Sequence, residues 1–150
     1  MRDYTPGKPR GGTIIVQGTS AMVGIVKLLP ELAQRGLNVK IVCVVSPQLF
    51  ARQPEAYRNQ VLSPGDRINS TIITTQARWL MHDWLFNKIA EEYALAADWD
   101  NQWRTGGTVA EVLEEARLSP PWILKGIERF VHDRDARLGR LHAELDAARK

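Results

Sequence analysis

A chain of 150 residues, 44% hydrophobic and 25% charged, fits one globular domain with its own core. Twenty basic against 17 acidic residues give a net charge of +3, too balanced for a nucleic-acid binder, and no basic stripe with interleaved aromatics is present. No apolar run approaches the ~20 residues needed to span a membrane. The single cysteine, Cys43, excludes an internal disulfide and fits a cytoplasmic protein.

Residues 1–12 are polar and rich in Pro and Gly, without an apolar signal core, and read as a linker or arm. Thr13 to Gln17 is a β-branched run that predicts a buried strand, ended by Gly18. Thr19 or Ser20 is placed to cap the following helix. In that helix Met22, Ile25, Val26, Leu29, Leu32 and Ala33 fall on one face, and Gly36 sits at the C-terminal cap. A second β-branched run, Val39 to Val45, completes a βαβ unit with parallel strands and a right-handed crossover. Cys43 lies inside this run and reads as a buried small hydrophobe.

Ser46 and Pro47 begin a short helix, and Pro54 to about Val61 another, with Ala56, Tyr57, Gln60 and Val61 inward. Arg58 is expected to hold a carboxylate or backbone carbonyls. Residues 63–66 read as a turn and Ile68 to Thr74 as the third strand. A helix is expected from about Trp79 to Glu92, then a weak fourth strand within Tyr93 to Trp99. Thr108 and Glu111 form a capping box opening a helix to about Arg117. From Ser119 and Pro120 the pattern stays helical to the end. Ile127, Val131, Leu138, Leu141 and Leu145 make a stripe broken at Arg134, with Arg137 largely off it. The alternation predicts a three-layer α/β/α sandwich with a mostly parallel sheet over 13–131 and a helical extension over 132–150.

Few residues carry chemistry. The Gly18-Thr19-Ser20 turn is a candidate anion site, because backbone N–H groups and the helix dipole converge there. The competing reading is that Thr19 and Ser20 only cap the helix. The glycine spacing is not that of a dinucleotide fingerprint. His82, His132 and His142 have no partner at metal-ligand spacing, and no catalytic set or metal site is assembled. His82 and Asp83 are adjacent and point apart on a helix. Trp79, Trp84, Trp99, Trp103 and Trp122 crowd one part of the chain. Trp79, Trp84 and Trp103, with Leu141 and Leu145, are the candidate interface, since tryptophan is enriched at binding hot spots.

The segment Leu49-Phe50, Gln53, Tyr57-Arg58, Val61-Leu62 resembles a motif of the transketolase C-terminal domain, which follows that domain's second strand. Gly18-Thr19-Ser20 is similar to the family's Gly-Ser-Glu turn, and residues 108–113 resemble its final helix entry. The resemblance covers roughly residues 12–131. Ala77-Arg78-Trp79 keeps the family's Trp without the preceding Gly. The thiamine-diphosphate metal motif of the parent enzymes, Gly-Asp-Gly with a later Asn, is not in the chain, so no catalytic residue carries over. The resemblance implies a non-catalytic assembly or regulatory domain, or small subunit, of a transketolase-type enzyme. Thiamine diphosphate and Mg would then belong to the parent enzyme. The implied partners are other transketolase-type domains or a second copy of the chain; related dehydrogenase subunits dock an acyl-carrier partner with this domain. The alternative is a stand-alone α/β domain binding a small ligand or anion at the Gly18 turn.

Overall fold

A computed structural model describes residues 2–149; Met1 and Lys150, the outer ends of the expected arm and extension, lie outside the described residues. Strands β1 (Gly12–Gln17), β2 (Val39–Cys43), β3 (Ser70–Thr74) and β4 (Leu95–Ala96) form one parallel sheet in the order β2-β1-β3-β4. Ile14 pairs with Ile41 and Thr71, and Ile15 with Val42 and Ile72. Alternation along the strands therefore sends Ile14, Val16, Ile41 and Ile73 to one face, and Ile15, Val42, Val44 and Ile72 to the other. All eight are at most 6% exposed, as strands covered on both faces should be.

The two faces are covered unequally. Over the first lie two long helices, α1 (Thr19–Gln34) and α7 (Pro120–His132), which pack on each other. Ala21, Gly24, Ile25, Leu28 and Leu32 of α1 meet Ile123, Ile127 and Phe130 of α7 in this layer. Over the second lie only short pieces: α2 (Pro47–Ala51), α3 (Glu55–Val61), α4 (Pro64–Ile68) and a 3-10 segment, Arg78–Trp84. Neither α2 nor α3 buries a residue, and Leu62, Met81 and Trp84 do most of the covering.

Several expectations are corrected. The N-cap of α1 is Gly18, at φ 102, and no side chain caps the helix, so Thr19 and Ser20 are already helical. A side chain at position 18 would meet Thr75 Oγ1 at 2.3 Å, so glycine is needed for its dihedral and for close approach to the end of β3. The inner face of α1 is rotated from the expected one, leaving Val26 63% exposed, because α7 approaches closely over Gly24. Residues 63–66 are not a free turn. Ser63 and Asp66 form a reciprocal capping box that opens α4, so Ile68 ends a helix, is 56% exposed, and β3 starts at Ser70.

The helix expected over 79–92 is two elements. The 3-10 segment ends at Trp84, and Asn87 caps α5 (Lys88–Glu92) by accepting from Ala90 N at 2.7 Å. The capping box at Thr108 does open α6 (Val109–Glu115). The terminal helix breaks at Asp133 into α7 and α8 (Arg134–Ala148). On α8 Arg137 is 3% exposed, not solvated. Its guanidinium lies 3.6 Å from the Phe130 ring centroid and 5.0 Å from that of Tyr93, and donates to Asn69 Oδ1 at 3.0 Å. Burial lowers its pKa to about 10.

The N-terminal segment lies along the outer edge of β2. Arg2 and Ile41 exchange backbone hydrogen bonds as an isolated antiparallel bridge. Asn38 accepts from Thr5 N at 2.8 Å and donates to the carbonyls of Thr5, Lys8 and Pro9.

Beneath the start of β1 a buried polar network ties three elements together. Lys40 Nζ donates to Asp66 Oδ2 at 2.9 Å, Ser63 N to the same oxygen at 3.0 Å, and Thr13 Oγ1 shares a hydrogen bond with the Tyr4 hydroxyl at 2.9 Å. Burial opposes ionisation of Asp66, but the hydrogen bonds from Lys40 and Ser63 outweigh it and hold the carboxyl below its usual range. A depressed carboxyl pKa adds stability that is present above the unfolded value of about 3.9 and lost as pH falls through the lower folded value. Acid unfolding should therefore steepen below about pH 4, and Asp66→Asn should remove that component. The same substitution leaves Lys40 buried without its partner and should cost about 3 kcal/mol at pH 7 by urea denaturation. A loss under about 0.5 kcal/mol contradicts this role.

Candidate functional site

The turn nominated from the sequence is shaped by packing. Gly18 sits against Thr75, Thr19 is exposed and Ser20 half-buried. Two of the molecule's cavities open elsewhere, over the lightly covered sheet face.

Two cavities adjoin there. One, of about 320 Å³, is lined by Gln48, Phe50, Arg58, Arg67, Asp83 and Trp84, with Phe86 at its side. The other, of about 350 Å³, is lined by Cys43, Val44, Leu49, Phe50, Tyr57 and Trp84. Phe50 and Trp84 form the wall between them, with ring centroids 5.3 Å apart and planes tilted by 45°. The local fold places each group. Ser46 Oγ accepts from Leu49 N and Pro47 occupies the first turn of α2, which turns Phe50 toward Trp84. Both α3 and α4 contribute one arginine to the first cavity.

The Tyr57-Arg58 pair does not do what its sequence suggested. Tyr57 is 50% exposed and lines the second cavity, since α3 lies flat on the rim and buries none of its residues. Arg58 holds neither carboxylate nor carbonyl among the described residues: its Nε is buried and has no hydrogen-bond partner. The indole Nε1 of Trp84, a residue only 3% exposed, is likewise buried and unpartnered. Arg67 donates through Nε to Leu62 O at 3.1 Å, and its guanidinium lies 5.8 Å from the Phe86 ring centroid. Asp83, the carboxylate on this wall, is 3.2 Å from His82 Nε2. The two adjacent side chains thus meet, contrary to the expectation that neighbours on a helix point apart. Two guanidiniums against one carboxylate give the cavity a positive balance and an aromatic wall.

The nominated interface residues scatter. Trp84 belongs to the core, whereas Trp79 is 71% and Trp103 97% exposed. Trp79 stacks on His82 at 5.6 Å. Trp99 and Trp122 flank the Arg117 guanidinium at 3.5 and 4.9 Å, and Trp122 Nε1 donates to Glu114 at 2.7 Å. Leu141 is half-buried in a small cleft with Ile68 and Ile89, while Leu145 is exposed. The sequence reading weighed Asp83 only beside His82, and nominated neither Arg67 nor Phe86 for a site. Arg67 stands on α4, Asp83 on the 3-10 segment and Phe86 on the loop after it, and only the turn at 63–66 being a capped helix brings Arg67 round to Arg58. Among the described residues no group of three His, Cys, Asp or Glu side chains is placed to hold a metal.

Residues 6–94 match the family described as the transketolase-like TK C-terminal domain. No curated protein sequence matches the chain. Among solved structures, a Pichia stipitis transketolase crystallised with xylulose 5-phosphate is 15% identical, with a TM-score of 0.59, over 88% of this chain and 18% of that one. A Leishmania mexicana transketolase is 13% identical, with a TM-score of 0.58, over 88% of this chain and 18% of that one. At such identity the likeness is one of fold. The chain spans about 18% of the length of these transketolases.

A buried donor without a partner destabilises the folded state. Arg58→Met keeps the apolar stem and removes that donor. Urea denaturation should therefore show unchanged stability or a gain of up to ~1 kcal/mol. A loss larger than that would mean that Arg58 has a structural partner.

Proposed function

Since the chain belongs to the transketolase-like C-terminal domain family, we propose that it is a non-catalytic assembly and regulatory domain of a transketolase-type, thiamine-diphosphate-dependent enzyme. The reading assigns the rest of such an enzyme to other domains, on the same polypeptide or on separate subunits. Thiamine diphosphate and Mg belong to those parts. The cavity here does not suit the cofactor's metal: its one carboxylate, Asp83, shares the wall with two guanidiniums that repel a divalent cation, whereas magnesium takes a near-octahedral set of oxygen ligands.

The observation that carries the assembly role is the apolar surface around the cavities. Val45 is 84% exposed, Leu49 61%, Tyr57 50%, Trp79 71% and Leu80 53%. These side chains stand on the loop after β2, on α2 and α3, and on the 3-10 segment, all on the lightly covered face. Fully burying one such side chain contributes roughly 1.5–3 kcal/mol. Association costs an estimated ~4–15 kcal/mol, so one or two contacts do not suffice and several must be covered together. A group of five meets that requirement, and a partner domain that covers them completes the layer that the short helices leave thin. Trp103 and Leu145 are the exposed residues available for a contact between copies of the chain.

Two measurements test the proposal. Calorimetry of the isolated chain with thiamine diphosphate and Mg²⁺ should show no binding, and tight binding would sink the reading. Co-expression with polypeptides carrying the pyrophosphate- and pyrimidine-binding domains should give a complex on gel filtration, and Leu49→Glu with Trp79→Glu should weaken it at least about tenfold. Absence of any complex overturns the assembly role.

A further inference from the structure

We propose that the cavity between α2, α3, α4 and the 3-10 segment binds a small organic anion, a phosphate or carboxylate carried on a flat apolar body. The inference rests on the cavity itself and not on the assembly role, and it is read on the isolated chain.

Charge is the first argument. The Arg58 Nε is buried and unpaired, and no ion pair of Arg58 or Arg67 forms among the described residues. Asp83 stands on the same wall, is 45% exposed, and is engaged by His82 Nε2 at 3.2 Å. A buried N–H donor without a partner is costly, and an anion that accepts from the Arg58 Nε removes that cost. Arginine's fork of donors suits a phosphate or carboxylate, and two arginines on separate helices converge here from two sides.

The walls supply the second argument. Phe50, Trp84 and Phe86 present rings to the same space, so a bare inorganic ion would leave most of the lining uncovered. The volume of about 320 Å³ lies at the lower end of the range for small-molecule sites of about 300–1,000 Å³. The Trp84 Nε1 donor, buried and unsatisfied, adds a polar point on an otherwise apolar wall. A flat ring lying along Phe50 and Trp84, with its anionic group at Arg58 and Arg67, uses each of these features.

Calorimetry with phenyl phosphate, benzoate, inorganic phosphate and benzyl alcohol tests this. Phenyl phosphate or benzoate should bind saturably, and which is tighter tells phosphate from carboxylate. Inorganic phosphate and benzyl alcohol, each lacking one half of the ligand, should bind at least about tenfold more weakly. Arg58→Gln should weaken binding at least about tenfold while the unliganded melting temperature stays level or rises. The exposed Gln48→Glu should weaken it at least about threefold by adding a negative charge to the wall. Either result overturns the proposal: no saturable binding up to about 10 mM, or binding that both substitutions leave unchanged. It also falls if the free chain binds none of the probes and Arg58→Gln instead breaks a complex with a partner domain. The anion facing Arg58 is then a partner's carboxylate.

Discussion

Strand β1 must be buried on both faces and paired on both edges, and the rest of the structure follows from how that is achieved. Its apolar residues alternate between two cores, and neither core is complete without a cover of its own. On one side two helices of 16 and 13 residues supply it, with regular apolar faces that interlock at Gly24 and Ile123. On the other side the chain between β2 and β3 supplies three helices of 5 to 7 residues. Helices of that length have too few turns to lay a continuous ridge into a groove. They meet the sheet mainly through Leu62 at the end of α3, the 3-10 segment adds Met81 and Trp84, and recesses remain between these pieces. These two cavities and the exposed apolar residues around them therefore have one origin, the thinness of this layer.

The βαβ unit and the parallel sheet were legible in the sequence because a buried parallel strand writes itself as a β-branched run. Ile14, Val16, Ile41, Val42, Val44 and Ile72 read correctly on that signal alone. The family-like segment from Leu49 to Leu62 was legible too, and the match over residues 6–94 agrees with it. The site was not. Tyr57 looks like a core aromatic by periodicity, yet it is half-exposed, and of α3 it is Val61 that packs on the core. Arg137 looks like one more charge on a polar helix, yet it is the buried residue of α8. Its long stem and flat head fill the space over Phe130 that a leucine would otherwise take. Periodicity reports whether a side chain prefers water. It carries no information on whether a neighbouring ring offers a cation something better.

The polar network under β1 shows the opposite case, a site legible only as local grammar. Ser63 and Asp66 spell a capping box, but the sequence does not say that the same carboxylate also receives Lys40 from β2. One aspartate thus starts α4, pins the second strand and fixes where β3 can begin. This ties the direction of α4, and so the position of Arg67, to the sheet itself. The cation at the cavity is positioned by a capping interaction on the far end of its own short helix.

The arm along β2 has a consequence for the chain in a crowded solution. A parallel sheet of this order has β2 as an outer strand, whose unpaired amides and carbonyls could template the addition of a strand from another molecule. The bridge between Arg2 and Ile41 occupies the backbone groups at the middle of that strand, and Asn38 fastens the returning loop across its beginning. The arm acts as a guard against edge-to-edge aggregation. It does so in the antiparallel sense, by a single bridge at the middle of the strand, so an incoming chain meets backbone groups there that are already paired.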